Sequence, residues 1–81
     1  MRGMNRMRKY TIILEYDAEA RSYAITVPAL PGCTSQGDTV EKAIAMAKEA
    51  IAGHIACLEA IGEPVPEEAE RPQMITIDVA V

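Results

Sequence analysis

From Tyr10 onward the chain alternates between apolar and polar positions. Tyr10, Ile12, Leu14 and Tyr16 fall on one side, with Thr11, Ile13, Glu15 and Asp17 on the other. A period of two is that of a β-strand. Asp17-Ala18-Glu19-Ala20-Arg21 is polar enough for a turn, and Ser22–Val27 alternates again with Tyr23, Ile25 and Val27 on one face. Two such runs joined by a short polar loop predict an antiparallel hairpin. Pro28-Ala29-Leu30-Pro31-Gly32 ends the second run. Each proline removes a backbone donor, and Gly32 allows a positive φ where the chain reverses. Cys33–Gln36 is a short third strand punctuated by Gly37. Asp38-Thr39-Val40-Glu41 then reads as a capping box with Asp38 as N-cap and Glu41 three residues on, Thr39 being the other candidate cap.

The helix that follows is the strongest pattern in the chain. Val40, Ala43, Ile44, Ala47, Ala50, Ile51, His54, Ile55, Leu58 and Ile61 recur at steps of three and four, and Gly62 supplies a stop. Gly53 inside it costs about 1 kcal/mol relative to alanine, which points to a close backbone approach by the sheet or a second subunit. Residues 63–72 hold three prolines and four glutamates, the composition of a loop. Met74–Val81 alternates once more, with Ile75, Ile77, Val79 and Val81 against Met74, Thr76, Asp78 and Ala80. The predicted order is β-β-β-α-β: an α+β domain with a mainly antiparallel sheet and one long helix on one face. One helix covers one face only, yet Ile13 and Met74 are apolar on the other side of their strands. This predicts a homo-oligomer, a dimer or tetramer.

At 81 residues, 49% apolar and 25% charged, the chain holds one domain. We expect a flexible basic segment over residues 1–8 and the domain over 9–81. No apolar run approaches the roughly 20 residues that cross a bilayer. Nor does the N-terminus carry the apolar stretch of a signal peptide, so a cytoplasmic location without membrane attachment is expected. Phe and Trp are absent and Tyr occurs three times, which disfavours a base-stacking platform. Net charge is −4, unevenly placed: four of the eight basic residues precede Tyr10 and all twelve acids follow it. Residues 10–81 therefore set four basic residues against twelve acids, a net of −8. Such a body repels phosphate backbones and steers basic partners. The basic lead-in has a second reading, an arm that touches nucleic acid.

Candidate chemistry is sparse. Cys33 and Cys57 form neither a disulfide framework nor a zinc site, and both read as buried structural thiols. His54, the lone histidine, could act as a general base, but its place in the helical stripe favours a buried or interface role. There is no glycine-rich phosphate loop, and neither Ser22 nor Ser35 lies in a nucleophile elbow. Glu15, Asp17 and Asp78 could hold a divalent cation from strand positions. No carboxylate on the sheet-facing stripe of the helix completes that set. No cofactor, metal or enzymatic activity is expected.

The stretch Tyr23-Ala24-Ile25-Thr26-Val27-Pro28-Ala29-Leu30-Pro31-Gly32-Cys33, continuing through Gly37-Asp38-Thr39, resembles the HicB-type antitoxin family. That family reads Tyr-x-apolar-x-apolar-Pro-x-Leu-Pro-Gly-Cys, a short polar strand, Gly-Asp-Thr, and a helix rich in Glu and Ala. Glu41-Lys42-Ala43-Ile44 and Ala47-Lys48-Glu49-Ala50 extend the likeness, as do Gly62 and Pro64-x-Pro66. It covers roughly residues 8–81 and is specific, because rare turn residues recur in fixed order. The resemblance implies a partial ribonuclease-H-like fold that binds and occludes a small basic RNA-cleaving HicA-type toxin and is not itself an enzyme. It makes Tyr23, Pro28, Leu30, Pro31, Gly32 and Cys33 the candidate partner-binding residues, against the alternative that this turn is purely structural. Many members continue into a C-terminal DNA-binding domain. Here nothing follows the last strand pattern, which weighs against direct DNA binding. The alternative readings are an orphan regulatory or ligand-binding module of the same fold and, third, a weak metal-dependent nuclease built on Asp17.

Overall fold

The computed structural model describes residues 7–68 and 73–81. Among the described residues three strands and one helix form: β1 (Ile13–Asp17), β2 (Ser22–Thr26), β3 (Thr34–Gly37) and α1 (Val40–Ala60). The sheet has the order β1-β2-β3 with both pairings antiparallel. Leu14 faces Ile25 across the hairpin and Tyr16 faces Tyr23, so the apolar sides of the two alternating runs coincide. A shift of one residue would turn all of these side chains to solvent. The helix lies on this face. Ile25, Val27, Leu30, Cys33, Ala43 and Ala47 form the buried core, with Tyr10, Ile12, Leu14, Tyr23, Ile44, Ala50 and Ile51 packed against it. Small alanines on the helix let it lie close to the sheet. The α+β class, with an antiparallel sheet under one helix, is as the sequence predicts.

Val27–Cys33 is a pair of consecutive β-turns. Leu30 N–H donates to Val27 O (3.0 Å), Cys33 N–H donates to Leu30 O (2.9 Å), and Val27 N–H donates to Cys33 O (3.2 Å) across the base. Pro28 and Pro31 each follow the first residue of a turn, where a fixed φ is already suited to the turn and the missing donor costs nothing. Gly32 has φ +84°, the positive angle that a type II turn needs at its third position. The double turn directs Leu30 inward, where it is fully buried.

The helix is capped at both ends. Thr39, extended at φ −129° and ψ 162°, accepts from Lys42 N–H through Oγ1 at 3.0 Å. Thr39 is therefore the N-cap, not Asp38. Asp38 instead pairs with Lys42 Nζ at 3.4 Å on the exposed surface. At the other end Gly62 has φ +76°, Gly62 N–H donates to Glu59 O and Glu63 N–H donates to Leu58 O. This is the Schellman arrangement, and it satisfies carbonyls that the helix leaves open. Gly37 holds the strand-to-helix corner. A Cβ there would sit 2.5 Å from Ala43 N and 2.8 Å from Ala43 Cα.

Other details differ from expectation. Among the described residues Gly53 has no neighbour within 4 Å of where a Cβ would lie, so no close approach is made there. Cys57 is exposed while Cys33 is buried, because position 57 lies on the outer side of the helix. Val40 and Ile61, at the ends of the predicted stripe, are exposed. The final predicted strand does not pair: residues 73–81 carry no regular structure and are exposed. A strand needs an edge to pair with, and this segment lies on neither outer edge of the sheet, β1 or β3. Of the predicted N-terminal segment, residues 1–6 lie outside the described residues. Arg8 is held near Glu67 (3.9 Å).

Candidate partner-binding site

The six candidate residues divide by burial. Leu30 (0% exposed) and Cys33 (5%) belong to the core and shape the turn from within. Pro28, Pro31 and Gly32 are exposed and form its outer surface. Burial pushes the Cys33 thiol pKa up, because the thiolate would lose its hydration. Leu30 presents no surface to a partner, so replacing it reads the stability of the fold.

Tyr23 lies elsewhere. It sits near the start of β2, half-buried, with its ring 5.0 Å from that of Tyr16 at a tilt of 58°. Pro28 lies five residue steps further along the chain, about 16 Å at the usual rise of a strand. The structure therefore does not gather all six residues into one patch. It offers a proline-glycine knuckle at one end of β2 and a Tyr16–Tyr23 pair at the other. Tyr16 is 56% exposed. Sequence reasoning passed over it as one more strand residue, although its place opposite Tyr23 follows from the hairpin register.

The carboxylates do not assemble. Asp17 Oδ1 accepts from Glu19 N–H (3.0 Å) and Ala20 N–H (3.2 Å), which ties the β1–β2 loop. Among the described residues no group of three or more His, Cys, Asp or Glu side chains could hold a metal ion. His54 is half-buried on α1. Tyr10 Oη donates to Pro66 O and Thr11 N–H donates to Glu68 Oε1 at 3.2 Å, so the loop after the helix is fastened to the chain entering β1. Among the described residues no helix is long and apolar enough to cross a membrane.

Fold and surface thus define a small α+β domain: a three-stranded antiparallel sheet under one capped helix, with an exposed proline-glycine knuckle. Residues 10–78 match the family described as the HicB-like antitoxin of bacterial toxin–antitoxin systems. The chain belongs to the HicB-like antitoxin family. It is similar to a UPF0150 protein of Thermoplasma acidophilum, with 42% identity over 60 residues, 74% of this chain and 86% of that one. A UPF0150 protein of Synechocystis is 46% identical over 59 residues, 73% of each chain. Among solved structures, the N-terminal domain of the Burkholderia pseudomallei antitoxin HicB superposes with a TM-score of 0.60 at 32% identity. That match covers 84% of this chain and 95% of the other.

Proposed function

We propose that this protein is an antitoxin that binds a small basic RNA-cleaving HicA-type toxin in the cytoplasm and covers its RNA-binding surface, with no catalysis of its own. Membership of the HicB-like family over residues 10–78 carries the reading. The likeness to nearly the whole N-terminal domain of an antitoxin supports it. Charge supplies the physical mechanism. A body of net −8 over residues 10–81 attracts a cationic RNA-binding protein and competes with the phosphates that protein would otherwise hold. The exposed edge of the Pro28–Gly32 turn is the proposed contact, with Leu30 and Cys33 holding its shape from beneath. Tyr23 and Tyr16 offer a second, aromatic contact. In this reading the sheet and helix are a partial ribonuclease-H-like fold used as a binding platform.

The test is a calorimetric titration against a HicA-type protein, across a salt series. Stoichiometric binding that weakens as salt screens the charges is the expected result. No binding at low salt overturns the proposal.

A further inference from the structure

Five of the ten exposed large hydrophobic side chains among the described residues lie in one short segment: Met74, Ile75, Ile77, Val79 and Val81. The segment has the pattern of a strand, with one face entirely β-branched and aliphatic (Ile75, Ile77, Val79, Val81). Ile77 is 72% exposed. Surface apolar residues scattered singly need no explanation, but a strand face of four does.

The same chain carries a receptor for such a strand. A groove of about 830 Å³ runs between the chain entering β1 and the sheet-side flank of α1. Its apolar walls include Ile12, Ile51, Ala52 and Ile55. β1 (Ile13–Asp17), which continues from the chain lining the groove, is an edge strand paired on one side only, so its outer edge is open to another strand. Lys9 and Lys48 stand along it with Arg8, which lies 3.9 Å from Glu67, and Glu59 is an acid among its lining residues. The segment's charged residue is Asp78, of the opposite sign to those three cations. Apolar face, open edge and charge match.

We propose that Met74–Val81 of one copy docks in this groove of a second copy as the fourth strand of its sheet, and that the exchange is reciprocal. A two-fold dimer of this kind uses the same contact twice, which doubles the surface buried by one short strand. It covers the apolar strand face and occupies the β1 edge, two exposed features that a lone chain leaves open. The inference is independent of toxin binding, and its readout is self-association without any toxin.

Sedimentation equilibrium of the full chain, with Ile77→Asp on the strand and Ile55→Asp in the groove, tests it. The unaltered protein is expected to be a dimer. Each substitution is expected to raise the dimer dissociation constant at least about 100-fold, as loss of a central apolar contact does, while the helical circular dichroism of Ile77→Asp is unchanged. Mixing two differently isotope-labelled samples should give contacts between the Ile77 methyls of one chain and the Ile55 methyls of the other. An unaltered protein that stays monomeric at about 100 μM overturns the proposal. So does a dimer indifferent to Ile77→Asp, or an Ile77–Ile55 contact found only within one chain.

Discussion

Two apolar segments of this chain meet opposite fates. Val27–Cys33 contains two prolines and a glycine, which would make it a surface loop by composition, yet Val27, Leu30 and Cys33 are core. Met74–Val81 is richer in β-branched residues and has the cleaner strand pattern, yet it lies exposed. The difference is where each segment's backbone hydrogen bonds go. The turn closes its own, three of them between Val27, Leu30 and Cys33, and can therefore bury a leucine without help. The C-terminal segment must borrow an edge. A hydrophobic pattern states that a segment wants burial; local hydrogen bonding decides whether the chain can provide it alone.

One substitution made in both places gives the largest contrast. Leu30→Asp puts an unpaired carboxylate in a fully buried site and should cost about 4 kcal/mol or more. That is comparable with the whole stability of so small a domain, and thermal and denaturant unfolding will read it as loss of the fold. Ile77→Asp should shift the unfolding of the isolated chain by about 0.5 kcal/mol or less when measured at dilutions where the chain is monomeric. Equal costs at the two positions would erase the contrast.

Gly37→Ala tests the corner between β3 and α1. The new Cβ meets backbone atoms of Ala43 and Lys42 that cannot swing away, and a loss of about 1–3 kcal/mol is expected in denaturant titration. Gly53→Ala should do the reverse, adding up to about 1 kcal/mol, because the site is helical and open. A loss at Gly53→Ala would mean that something packs there in the assembled protein.

The smallest effect concerns the thiols. Cys57 should react with a thiol reagent in the native protein and Cys33 only on unfolding. Because burial raises the Cys33 pKa, the folded chain holds that proton more tightly than the unfolded one. Its contribution is complete below the ordinary thiol pKa and is lost as pH rises above it. The stability advantage of the unaltered protein over Cys33→Ala should therefore narrow as pH rises above the ordinary thiol pKa of about 8.5.

Much of this was legible in the residues. The three- and four-residue stripe foretells α1, the paired alternations foretell the hairpin, and the two prolines with Gly32 foretell the reversal. What stayed hidden depends on distances between elements. Gly37 reads as punctuation until the first turn of α1 is seen against it. Thr39 and Asp38 are equivalent as caps until the backbone at Thr39 is known to be extended. Tyr23 and Pro28 look adjacent in a motif but stand at opposite ends of a strand. The pattern of Met74–Val81 was plain, but no pattern within one chain names the edge that will receive it.

Antitoxin action is tested most directly by following RNA cleavage by a HicA-type toxin as this protein is added. Cleavage that falls in proportion and stops at a stoichiometric amount is the predicted result. Cleavage that continues undiminished with the protein in excess would contradict it.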